Sequence, residues 1–224
     1  MIGLRHLILT ILSVSSTFIL GAQEREVSLK VSSGYNAPSG VFAATSLETH
    51  QPLCKNFQID GGLRYSSIRT LAAEARPAFS KTYSWGRLTA EAILAYTNLS
   101  SVNNLSFGAG AGVSGKWIGF KLGYYYRLLG KAGNFINEPF NIYYELRANF
   151  LPMIEEWDLQ FLITNSELCQ LERHFQPTFI AQCSYYFPQH IGLTMGIGCK
   201  PAGMFNMSAD FYESYLKLGV CYRW

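Results

Sequence analysis

Side chains suited to catalysis are sparse in this chain of 224 residues, which holds four His and five Cys. His174, with Glu172 close by, is the candidate base for a hydrolase that activates a hydroxyl or a water. Two positions along the same strand face stands Gln176, not Ser, so no nucleophile and base share that face. His50 and His190 lie in or beside predicted turns, with no second ligand at i+2, i+3 or i+4. His6 falls in the apolar N-terminal segment. Cys54, Cys169, Cys183, Cys199 and Cys221 are odd in number and lack CxxC spacing, so they define neither a disulfide framework nor a zinc site. Asp210 and Glu213 read as solvated loop charge or as a bridge through divalent ions to lipid phosphates. No catalytic group, metal or cofactor is expected.

The remaining chemistry lies in ions set among apolar residues. The chain is 49% hydrophobic and 15% charged, with a formal net charge of +3. That composition excludes intrinsic disorder, and so small an excess, without a basic run, excludes a nucleic-acid partner bound by phosphate neutralisation. Beyond the N-terminus no run approaches the roughly 18 to 20 apolar residues of a membrane-crossing helix. Residues 1–22 read as a secretory signal peptide: Arg5, an apolar stretch from Leu7 to Leu20, then Gly21 and Ala22 before Gln23. Residues 23–224 form the expected mature domain.

Along that domain apolar residues recur with a period of two, the signature of strands. Phe57, Ile59, Gly61, Leu63 and Tyr65 alternate with Gln58, Asp60, Gly62 and Arg64, and Phe140 to Phe150 repeat the pattern. Similar segments cover 105–113, 118–126, 157–163, 175–187, 191–199 and 216–224, with weaker copies at 25–35, 41–50, 69–80 and 87–97. Twelve strands follow, or ten if the very short connection at Ser66 to Arg69 fails. Tight turns at 83–86, 114–116, 152–156 and 188–190 alternate with longer connections at 98–104, 128–138, 165–173 and 201–212. That asymmetry predicts an all-β, antiparallel, up-and-down transmembrane β-barrel.

In such a barrel the apolar face meets lipid and the polar face lines the lumen. Aromatic residues gather near strand ends: Tyr35, Tyr65, Tyr96, Tyr124, Tyr126, Phe140 and Phe175 toward one rim, and Phe57, Phe79, Phe150, Trp157, Tyr185, Phe187, Tyr222 and Trp224 toward the other. These predict two interfacial girdles. The polar face predicts a lumen charge network of Lys30, Asp60, Arg64, Glu74, Arg76, Arg87, Glu91, Lys121, Arg127, Glu145, Arg147, Asp158, Lys217 and Arg223. Glycines at 108, 110, 112, 119, 123, 192, 196 and 198 share that face. They either leave open space or mark tight curvature and close strand packing.

The chain ends Lys217-Leu218-Gly219-Val220-Cys221-Tyr222-Arg223-Trp224. This segment resembles the C-terminal insertion signal of Gram-negative outer-membrane barrels: polar Lys217, Gly219, aromatic Tyr222 and a final aromatic, Trp224. The resemblance implies insertion into the outer membrane by the barrel-assembly machinery, with both chain ends on the periplasmic side; outer-membrane lipid is then the other partner. It leaves the function open. A small diffusion pore or a barrel plugged by its own side chains is the first expectation. An accessory or ligand-binding barrel of a larger envelope complex is the alternative, supported by apolar side chains in 128–138 and 202–207. An outer-membrane lipase, protease or lipid A modifying enzyme ranks last.

Overall fold

The computed structural model describes residues 25–37, 40–67, 70–99, 102–131, 134–167, 170–171, 177–201 and 211–224. The expected signal peptide, Cys169, the group Glu172, His174 and Gln176, the loop residues 202–207, and Asp210 lie outside the described residues.

Eight strands form the first part of the wall: β1 (Glu26–Asn36), β2 (Gly40–Cys54), β3 (Phe57–Ser66), β4 (Thr70–Tyr83), β5 (Gly86–Leu99), β6 (Val102–Ser114), β7 (Ile118–Lys131) and β8 (Asn134–Asn149). Next come β9 (Trp157–Thr164), a small ribbon of β10 (Ser166–Glu167) and β11 (Gln170–Leu171), then β12 (Thr178–Tyr186), β13 (Ile191–Pro201) and β14 (Phe211–Arg223). All but the ribbon join one closed antiparallel barrel of sequential neighbours. Closure is by β1 against β14, from Glu26 opposite Arg223 to Asn36 opposite Glu213. At the seam the Arg25 and Trp224 backbones exchange two hydrogen bonds of 3.0 and 3.1 Å. No sheet edge is left unpaired at the join, which a bilayer core requires.

The connection after Ser66 exists, with Ser66 paired to Thr70, and the barrel has twelve strands rather than ten. Two expected long connections are corrected. β5 and β6 stay paired up to Leu99 opposite Val102, and β7 and β8 up to Lys131 opposite Asn134. Here the hairpins continue past the point where sequence alternation fades, because Asn98, Asn103 and Asn104 sit where neither face need be apolar. The Tyr96 hydroxyl donates to Asn103 at 2.8 Å, and the Asn98 amide donates to the same oxygen at 2.7 Å.

The barrel is inside-out relative to a soluble protein. Leu29, Val31, Leu94, Phe120, Leu122, Leu193, Met195, Leu218 and Val220 are exposed, while Glu74, Arg76, Glu91 and Arg127 are buried. Tyr35, Tyr65, Tyr96 and Tyr124 are exposed at the end opposite the short turns; Phe79, Phe150, Trp157, Phe187, Tyr222 and Trp224 are exposed at the short-turn end. Tyr83 stacks on Trp85 and Tyr222 on Trp224, with ring centroids 5.5 and 5.7 Å apart. Such belts hold a barrel at the lipid headgroups, and every strand of the wall except β9, which has 8 residues, reaches the roughly 9 to 11 that the bilayer requires.

Candidate functional site

Strand parity turns every residue of the expected charge network toward the lumen, and hairpin register decides which of them meet. On one wall, three cross-strand rows run from β5 through β6 and β7 to β8. The first joins Arg87, Ser114, Gly119 and Arg147; the second Thr89, Gly112, Lys121 and Glu145; the third Glu91, Gly110, Gly123 and Tyr143.

In the third row the two glycines are covered. Tyr143 extends from β8 across β7 and β6, and its hydroxyl donates to Glu91 on β5 at 2.9 Å. A Cβ at Gly110 would collide with the Tyr143 hydroxyl, and one at Gly123 with the ring edge. A ring bridging two strands needs a floor without side chains, and these glycines provide it. Tyr215 does the same over Gly198 on the opposite side, and Tyr186 lies against Gly192. Of the two expectations for these glycines, open space or close packing, Gly110, Gly123, Gly192 and Gly198 follow the second, with rings against their backbone.

Closer to the short turns, the first two rows border a polar cavity of about 380 Å³. His50, Gln58, Asp60, Arg87, Thr89 and Glu91 line it together with Gly112, Ser114, Gly119, Lys121, Glu145 and Arg147. Arg87 and Ser114 are exposed where it opens. Its ions are paired: Lys121 with Glu91 at 3.0 Å, Arg147 with Glu145 at 2.8 Å, and His50 Nδ1 with Asp60 at 2.5 Å. Gln58 donates to Asp60 at 3.1 Å and accepts from Arg87 at 3.0 Å.

Above the cavity, Arg76 pairs with Glu74, and the Glu74 side chain is 0% exposed. Arg76 also reaches across the barrel to donate to Ser166 at 2.7 Å. Ser166 follows Asn165, whose amide group clamps the β8 backbone at Tyr144 N and Ile142 O, both at 2.8 Å. Residues 164–166 thus lean into the lumen from the end of β9 and narrow its middle. Ile93, Ala95, Tyr125 and Tyr143 pack into a small apolar cluster at this side.

Toward the outer rim, Arg127 meets Glu138 at 3.7 Å and the Tyr125 hydroxyl at 3.2 Å. Lys200 meets Glu213 at 3.9 Å, and Asn36 donates to Glu213 at 2.9 Å. Lys30 pairs with Glu48, Gln160 donates to Asp158 at 2.6 Å, and Lys217 lies 5.5 Å from the Tyr215 ring centre. Arg64 is buried on the lumen face of β3. Arg223 pairs with Glu26 at 2.7 Å and lies 3.4 Å from the Tyr186 ring centre. In the terminal segment Lys217 and Gly219 face inward while Tyr222 and Trp224 are exposed to the outside.

Sequence reasoning missed Glu26, Glu48, His50, Glu138, Lys200 and Glu213 as lumen partners. His50 was expected in or beside a turn and stands instead on β2 opposite Asp60, because the turn at Lys55 and Asn56 pairs Cys54 with Phe57 and a one-residue shift between Pro52 and Cys54 then sets the register. A two-residue hairpin loop alone would have set Gln51 opposite Asp60, so the shift in β2 is what hid the pair from the sequence. Glu213, expected as loop charge, starts the inward face of β14.

No protein-family model and no curated protein matches this chain. Solved structures do. It is similar to the KdgM porin in complex with disordered oligogalacturonate, with 10% identity over 88% of this chain and 98% of the other and a TM-score of 0.59. It is similar to the NanC porin, with 12% identity over 87% and 98% and a TM-score of 0.55. It is also similar to the translocator domain of the autotransporter NalP from Neisseria meningitidis, with 11% identity over 99% and 95% and a TM-score of 0.52. The fold is that of the Gram-negative outer-membrane β-barrels.

Proposed function

We propose that the protein is a non-enzymatic outer-membrane channel that admits small polar solutes. One observation carries this reading: a barrel with an apolar exterior encloses a polar cavity of about 380 Å³ that is open toward the short turns. Water and small hydrophilic molecules are the natural occupants of such a space, since its walls are ion pairs, amides and bare glycine backbone. The likeness to two porins supports the same reading, while the likeness to an autotransporter translocator shows that one fold serves different tasks. The narrowing at Arg76, Glu74, Tyr143 and Ser166 limits the channel to small solutes. Residues 1–22 would direct export, and the Lys217 to Trp224 segment would recruit the barrel-assembly machinery.

Vesicle swelling tests the channel. Vesicles carrying heat-modifiable, folded protein should admit arabinose faster than protein-free vesicles, and the tetrasaccharide stachyose no faster. Equal arabinose rates with and without the folded protein would contradict a channel. The packed middle layer favours a second reading, a barrel sealed by its own side chains, and that same result would support it.

A further inference from the structure

The polar cavity at the short-turn end carries no excess charge. Three cations, Arg87, Lys121 and Arg147, line it with three acids, Asp60, Glu91 and Glu145, so with His50 neutral the sum is zero. Each of the six is engaged. Lys121 pairs with Glu91, which also accepts from Tyr143, and Arg147 pairs with Glu145. Arg87 and Asp60 are joined through Gln58, whose side chain accepts from the first and donates to the second, while His50 closes the other side of Asp60.

The hydrogen-bonding groups left over are neutral. Thr89 and Ser114 line the same cavity, and among the described residues their hydroxyls bond no other protein group. The floor beside them is low, since a Cβ added at Gly119 would meet nothing closer than 3.4 Å. An incoming ion finds no wall of one sign to attract it. To gain a counter-ion it must break a pair already made, or else lose hydration without compensation. A neutral hydroxylated molecule needs neither, because each hydroxyl both donates and accepts and can bond the free hydroxyls or either member of an ion pair.

We propose that this cavity selects uncharged, polyhydroxylated solutes of sugar size, and that the pair of Arg147 and Glu145 sets the preference by cancelling its own charge. The claim rests on the channel reading and names its solute class. Within the pair Arg147 is 43% exposed and Glu145 16%, so either charge faces a passing solute once its partner is removed. The same matching continues farther along the lumen, with Arg76 against Glu74, Lys30 against Glu48, Arg127 against Glu138 and Lys200 against Glu213. A solute that clears the cavity therefore meets paired ions at those levels as well.

The test is tracer entry of glucose, gluconate and glucosamine into vesicles that carry the heat-modifiable, folded protein. The three solutes share a six-carbon body and bear no charge, one negative charge and one positive charge. Glucose should enter roughly tenfold faster than either charged relative, a fraction of the full desolvation cost because the cavity is open. Glu145→Gln frees the Arg147 charge and should speed gluconate alone. Arg147→Gln frees Glu145 and should speed glucosamine alone. The double variant restores the balance and should return the wild-type order. Gluconate or glucosamine entering wild-type vesicles as fast as glucose, or both single variants speeding the same ion, would overturn the solute class while the channel stands. Folded, inserted protein that admits none of the three would remove the channel and the solute class with it.

Discussion

At the level of Tyr143 the glycines of β6 and β7, Gly110 and Gly123, lie beneath an aromatic ring, whereas nearer the short turns Gly112 and Gly119 border a polar cavity of about 380 Å³. The two levels share strands, parity and residue types, and they differ in what the next strand contributes. Tyr143 from β8 reaches back over two strands, while Glu145 and Arg147 on the same face pair with each other's level and leave the floor bare. A glycine on a lumen face is therefore neither open space nor packing by itself. The neighbouring side chain decides, and this division gives the barrel a narrowed waist and a wider vestibule.

The largest effect should come from the waist. Glu74→Ala removes the acid paired with the buried Arg76 guanidinium, leaving it the neutral Ser166 hydroxyl, and should cost about 3 to 5 kcal/mol. Urea unfolding in lipid vesicles reads it through Trp85, Trp117 and Trp157, all exposed near the short turns, and an unchanged midpoint would refute a packed waist.

Gly110→Ala places a methyl group against the Tyr143 hydroxyl and should destabilise by about 1 to 3 kcal/mol. Combined with Tyr143→Ala, the same methyl group should cost less, since only its approach to the Leu122 carbonyl oxygen at 2.8 Å remains, a non-additivity that a double-mutant cycle measures. Additive costs would mean that the ring does not occupy that floor. Tyr143→Phe keeps the ring and removes its bond to Glu91, with an expected loss of about 1.5 kcal/mol in the same unfolding assay.

Gly119→Ala should be the mildest change, within about 0.5 kcal/mol of wild type in stability, because a Cβ there meets Ser114 at an ordinary 3.4 Å. Its effect should appear as slower arabinose entry. A destabilisation matching that of Gly110→Ala would erase the distinction between waist and vestibule.

Much of this organisation was legible in the sequence. Alternation such as that from Phe57 to Tyr65 encodes both the strand and its lipid face, because each lipid-facing side chain must be apolar while the lumen tolerates charge. That rule located the lumen face of Asp60, Glu91, Lys121, Glu145 and Arg147. It could not give partners across strands, since pairing depends on register, which turn length and strand irregularities set together, as His50 opposite Asp60 illustrates. The hairpin ends at Asn98 to Asn104 escaped for another reason: beyond the membrane both faces meet water, so alternation disappears while backbone pairing continues. Nor could it foretell that Tyr143 would cover Gly110 and Gly123, because the row that aligns the three depends on the register of two successive hairpins.

The central claim is a water-filled path through the barrel, and single-channel recording of the folded protein in a planar bilayer addresses it most directly. Discrete current steps that grow with salt concentration are predicted, with a reversal potential that shifts in Arg147→Glu. A heat-modifiable, inserted protein that stays silent at every salt concentration would contradict the account and leave the waist at Arg76 and Tyr143 as a seal.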